Sequence, residues 1–143
     1  MTQAQIKPQA AWNLDHVGHA VRNLPEAVQY YQEILGFQVE SRETLEKEAV
    51  DVVFLKLANS FVELIAPREG NVTLNRFLEK RGEGLHHVCY KVPSVTAELE
   101  RLRSLGVKLI DQTARAGSRG LFVGFLHPSS CRGALIELCS DSV

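Results

Sequence analysis

Four residues carry the chemistry this sequence offers. His16 and His87 stand 71 residues apart (87 − 16), and Glu63 and Glu137 stand 74 apart (137 − 63). Each histidine opens a strand-like run, Leu14-Asp15-His16-Val17 in one case and Gly82-Glu83-Gly84-Leu85-His86-His87-Val88 in the other. The glutamates sit inside two more, Phe61-Val62-Glu63-Leu64 and Leu135-Ile136-Glu137-Leu138. A carboxylate flanked by apolar strand residues is costly to bury unless it is paired or bound to a cation. Two histidines and two glutamates recurring at matched places are hard to obtain from packing alone. Neutral imidazole with carboxylate suits a divalent ion such as Co²⁺, Mn²⁺, Ni²⁺ or Zn²⁺. An ion that accepts six ligands and takes four from the protein keeps two adjacent positions for substrate oxygens. The chemistry indicated is therefore metal-assisted and acts on a carbonyl compound, with a glutamate in or beside the ligand set to carry a proton.

Positioning those four side chains requires two similar halves. Residues 13–21 alternate, with Val17, His19 and Val21 on one side and His16, Gly18 and Ala20 on the other. His16 thus shares its face with small residues that leave room for a ligand, and the valine face suits a helix. Pro25 starts that helix, Val28, Tyr31, Ile34 and Leu35 form its apolar stripe, and Gly36 ends it. Strands are expected near residues 37–42, over 49–57 and over 61–65, which completes a βαβββ unit. Residues 73–81 form a short helix with Leu74, Phe77 and Leu78 inward. The second unit has a strand over 85–92, a helix capped by Ser94 and ended by Gly106, and strands over 107–110, 121–126 and 134–139, with a flexible loop at 114–120. Alternation puts His87, Cys89 and Lys91 on one face and His86, Val88, Tyr90 and Val92 on the other, so His87, not His86, partners His16. The expected architecture is α+β, two tandem βαβββ modules forming a curved mixed sheet around a metal site. Residues 1–12 read as a polar tail and 13–143 as one domain, with modules at 13–67 and 85–140 and a linking helix region at 68–84.

Composition narrows the partners. A chain of 143 residues with 45% apolar and 23% charged residues builds a real core. A net charge of −1 gives no footprint for nucleic acid, and no stretch approaches the ~20 apolar residues of a membrane helix. Cys89, Cys131 and Cys139 are an odd count with no CxxC spacing, which together with the lack of a secretory leader points to a reducing, cytoplasmic setting.

From about Leu14 to Cys139 the sequence resembles the vicinal oxygen chelate superfamily and, within it, the methylmalonyl-CoA epimerase family. The stretches that carry the resemblance are Leu14-Asp15-His16-Val17-Gly18, Val62-Glu63-Leu64 with Pro67, the long run Phe77-Leu78-Glu79-Lys80-Arg81-Gly82-Glu83-Gly84-Leu85-His86-His87, and Phe125-Leu126-His127-Pro128 leading to Gly133-Ala134-Leu135-Ile136-Glu137-Leu138. The resemblance implies metal ligands at His16, Glu63, His87 and Glu137, an acyl-CoA substrate, a homodimer, and interconversion of (2R)- and (2S)-methylmalonyl-CoA through a metal-stabilised enolate. It also implies two bases. Glu137 matches one of them; where some members place a second glutamate this chain has Val52, with Asp51 and Glu48 beside it, and Asp51 is the candidate for that role. A histidine that many members carry in the glycine loop is replaced by Arg119. Lys80, Arg81, Arg115, Arg119 and Arg132 are candidates to meet CoA phosphates or the substrate carboxylate. His19 and His127 read as structural, and Cys89 as a small buried thiol.

Two rival readings remain at this level. A glyoxalase I-type enzyme also uses a His/Glu metal site and enolate chemistry, on a glutathione adduct. A non-catalytic module that sequesters a small molecule is the other, although such modules usually lack the full ligand set.

Overall fold

Three side chains start the helices in the computed structural model, which describes residue 9 and residues 11–143. Asn23, Asn71 and Ser94 accept the backbone N–H groups of Glu26, Leu74 and Ala97, satisfying donors that a first helical turn leaves free. The helices are α1 (Leu24–Glu33), α2 (Val72–Arg81) and α3 (Val95–Ser104). The strands are β1 (Asn13–Ala20), β2 (Gln38–Leu45), β3 (Val50–Lys56), β4 (Phe61–Pro67), β5 (Gly84–Lys91), β6 (Arg115–Ala116), β7 (Phe122–Leu126) and β8 (Ile136–Ser140). They form one curved, mixed eight-stranded sheet in the order β2-β3-β4-β1-β5-β8-β7-β6. The order shows the duplication: each half places its first strand beside its last, in parallel, and the two first strands pair antiparallel at the centre.

Alternation along the strands sorts the core into two layers. Val17, Val21, Val53, Leu55, Val62, Leu64 and Ala66 pack under α1 through Val28, Ala27 and Tyr31. On the opposite face Ala20, Val50, Val52, Phe54 and Ile65 pack against Leu74 and Leu78 of α2. In the second half Val95 and Leu99 of α3 lie on Leu126 and Leu138. The sheet's two ends are tied to each other across the second face: Glu43 on β2 accepts the N–H of Arg119 at 3.0 Å, and Arg115 on β6 donates to Glu48 at 3.2 Å.

Three expectations about elements need correction. Ile34 and Leu35 do not extend the stripe of α1, because the helix ends at Glu33 and they are 68% and 47% exposed. Residues 107–110 are no regular strand. They touch β7 through one bridge, Leu109 with Leu126, and next to it the Asp111 carboxylate, rather than a backbone carbonyl, takes the N–H of Phe125. Residues 114–120, expected as a flexible loop, hold regular elements as well, β6 and a 3₁₀ turn at Ser118–Gly120. The polar tail at 1–12 falls largely outside the described residues.

Candidate metal centre

Strand register builds the site. β1 sets Gly18 opposite Glu63 on one side and opposite His87 on the other, and β5 sets Cys89 opposite His16 and opposite Glu137. Paired residues share a face. Two adjacent rows result, Glu63–Gly18–His87 and His16–Cys89–Glu137, each with one imidazole and one carboxylate about a small central residue. A Cβ built on Gly18 would lie 2.1 Å from Cε1 of His87, so only glycine leaves that imidazole its place.

The four side chains converge. His16 Nε2 lies 3.2 Å from His87 Nε2, 3.3 Å from Glu63 Oε1 and 3.2 Å from Glu137 Oε1, and His87 Nε2 lies 3.1 and 3.2 Å from the same two oxygens. An ion with bonds of about 2.0–2.2 Å puts neighbouring ligand atoms about 3 Å apart, so the spacing fits one ion. All four residues are buried. Burial lowers the basicity of His16, but Asp15, Glu137 and Glu63 outweigh it and raise the imidazole to about 11. His87 follows the same balance, with Glu137 and Glu63 raising it to about 9. Burial alone would raise both glutamates, yet the two histidines hold them below the usual carboxylate range. Without an ion the cluster thus pairs two imidazolium and two carboxylate groups. A divalent ion that replaces those two protons leaves the net charge unchanged, and the donor set accepts it at no electrostatic cost from that source.

Around the cluster the two histidines are supported differently. His16 Nδ1 donates to Asp15 Oδ2 at 2.7 Å, and the same oxygen takes Arg119 Nη2 at 2.5 Å. Burial raises Asp15, but these two partners hold it below its usual value. His87 Nδ1 instead meets His86 Nδ1 at 2.9 Å, and burial with the charge of His87 brings His86 down to about 4, a neutral imidazole. Glu63, His87 and Glu137 border a cavity of about 350 Å³ whose other walls include Val52, Ile65, Leu74 and Phe125.

Asp51 is not at the site. It lies on the face opposite Val52, its carboxylate held by Thr44 at 2.7 Å and Arg68 at 3.3 Å, and these bonds explain its lowered pKa. The one-residue offset along β3 is enough to turn it away. Glu48, by contrast, borders the cavity, as do Arg115, Gly117 and Ser118. His86 does too, against the expectation that it takes the face opposite His87, because β5 slips register against β1 between His87 and Leu85. His19 bonds Tyr31 of α1 at 2.7 Å and His127 accepts the N–H of Ser129, both structural as expected. Cys89 is fully buried, and burial raises its thiol. Sequence reasoning gave Asp15 no role, although its place immediately before His16 was the available signal. It also read Arg119 as a candidate to meet CoA phosphates or the substrate carboxylate, whereas its Nη2 donates to Asp15.

Residues 15–125 match the family described as the Glyoxalase/Bleomycin resistance protein/Dioxygenase superfamily. The chain is 36% identical over 126 residues to an uncharacterized protein, YqjC, of Bacillus subtilis, covering 88% of this chain and 90% of that one. It is 35% identical over 133 residues to the mitochondrial methylmalonyl-CoA epimerase of Homo sapiens, covering 90% and 76%. Its fold superposes with a TM-score of 0.87 on a methylmalonyl-CoA epimerase in complex with methylmalonyl-CoA and NH4+, at 31% identity over 92% of this chain and 95% of the other.

Proposed function

Since the chain belongs to the glyoxalase/bleomycin resistance protein/dioxygenase superfamily, we propose that it is a metal-dependent epimerase interconverting (2R)- and (2S)-methylmalonyl-CoA. The observation that carries the reading is the convergence of His16, Glu63, His87 and Glu137 beside a cavity, in a chain similar over most of its length to epimerases of this substrate. A divalent ion, Co²⁺, Mn²⁺, Ni²⁺ or Zn²⁺, held by these four residues would supply Lewis-acid polarisation of the thioester carbonyl. Glu137 borders the cavity as an anion at neutral pH and takes the proton from C2 of the substrate. Return of a proton to the other face requires a second carrier. Asp51 faces away from the cavity, and Glu48, a carboxylate on the cavity wall beside Arg115, delivers a proton it has drawn from solvent while Glu137 later passes its own to solvent. The cavity walls at Val52, Ile65 and Phe125 are apolar and would lower the local dielectric around a bound acyl group.

In D₂O, catalytic amounts of metal-loaded protein should place deuterium at C2 of methylmalonyl-CoA while the two epimers equilibrate, and a chelator should stop both. Glu137→Gln should lose nearly all activity and Asp51→Asn should keep most of it. Glu48→Gln should still exchange the C2 proton of one epimer but fail to invert it. No exchange, with rapid conversion of the hemithioacetal of methylglyoxal and glutathione, would replace this reading with a glyoxalase. Turnover of neither compound would leave a binding module.

A further inference from the structure

Arg119 occupies a backbone conformation that arginine rarely takes. Its φ is 57°, in the left-handed region, where a residue with a Cβ is strained and persists when its surroundings over-determine it. Its surroundings do so from several sides. The guanidinium carbon lies 4.1 Å from the centroid of Phe54 and 4.9 Å from that of Phe61, the backbone N–H is held by Glu43 on β2, and Nη2 donates to Asp15. Its Nε–H has no hydrogen-bond partner among the described residues, and the guanidinium's hydrogen bond goes to Asp15. Phe54 also sets its ring edge-on to the His16 ring, at 5.2 Å and 89°.

Asp15 is the hinge of this arrangement. One buried oxygen, Oδ2, receives both His16 Nδ1 and Arg119 Nη2, from residues that lie 104 apart in sequence (119 − 15). A carboxylate with a single partner can swivel; one fixed by two donors cannot, and the imidazole it holds is fixed with it. A ligating histidine depends on such a partner for its orientation and its basicity. His87 has no carboxylate partner of this kind among the described residues, only neutral His86.

We infer that Arg119 is a positioning residue for His16, acting through Asp15, and that it ties the cavity wall at residues 117–118 to a ligand of the metal. The inference rests on the reading that the His16/Glu63/His87/Glu137 cluster binds a divalent ion. Removing the guanidinium frees the Asp15 carboxylate, lets the His16 ring turn, and weakens the ion's hold without touching a ligand.

The test is a titration of the metal-free protein with Co²⁺, followed by visible absorbance in competition with a chelator. Arg119→Ala should weaken binding about 10- to 100-fold, the range for loss of a group that supports a ligand, and Arg119→Lys, which can still donate to Asp15, should recover most of the loss. In an Asp15→Asn background Arg119→Ala should add little, because both act through one carboxylate. Thermal unfolding of each metal-free variant distinguishes positioning from misfolding. If Arg119→Ala bound Co²⁺ as tightly as the natural chain, or if the Asp15 and Arg119 losses simply added, the inference would fail while the metal site stood. A natural chain that took up no Co²⁺ would remove both.

Discussion

At pH 7.5 both His16 and His87 carry protons in the metal-free chain, since their values stand at about 11 and about 9. A histidine ligates only as neutral imidazole, so binding an ion must expel those protons. Below pH 9 both protons compete with the metal, so affinity rises with pH, by up to about 100-fold per unit for two protons released. Calorimetric titration in buffers of different ionisation enthalpy should therefore count about two protons released per ion at pH 7.5. Release of none would mean that the imidazoles are neutral before the metal arrives and that the pairing with Glu63 and Glu137 is weaker than the geometry implies.

Between residues and molecule stands the pair of rows across β4, β1, β5 and β8, where a small residue at the centre of each row decides whether the ligands meet. Gly18→Ala puts a methyl into the ring of His87, and that ring cannot retreat, being 8% exposed and packed edge-on against Phe125 and His86. The variant should fold but lose at least tenfold in metal affinity, a cost no smaller than that of disturbing a group behind a ligand. Cys89→Ala, at the matching place in the other row, should leave affinity close to that of the natural chain; chelator competition on both variants checks this. Much of this was legible in the sequence. Period-two alternation and the repeat selected His16, Glu63, His87 and Glu137 and put small residues beside His16, but strict alternation sets His86 on the opposite face, whereas it borders the same cavity as His87 where β5 slips register against β1. What alternation cannot supply is the partner across the chain. The Arg119–Asp15 bond spans 104 residues, and the exposure of Ile34 and Leu35 depends on where α1 stops. The strand anticipated at 107–110 failed for the same reason, because a side chain of Asp111 took the N–H that a ladder would have used.

For the whole molecule the ion is a link between halves, since His16 and Glu63 come from the first βαβββ unit and His87 and Glu137 from the second. The antiparallel pairing of β1 with β5 already joins them into one sheet, so they should unfold together, and a ligand that binds only the folded chain raises the stability of both. At a free concentration a hundredfold above Kd the gain is about 2.7 kcal/mol. For a domain of this size each kcal/mol moves Tm by about 2–4 °C, so metal loading should raise Tm by about 5–11 °C in a single transition. The rise should vanish with His16→Ala or with chelator present, and should be larger at pH 8 than at pH 6, where protons compete for the same nitrogens. Differential scanning calorimetry of the metal-free and metal-loaded chain measures it. Two separate transitions, only one of them shifted by metal, would show that the halves melt independently and that the ion binds within one of them, which the shared ligand set does not allow.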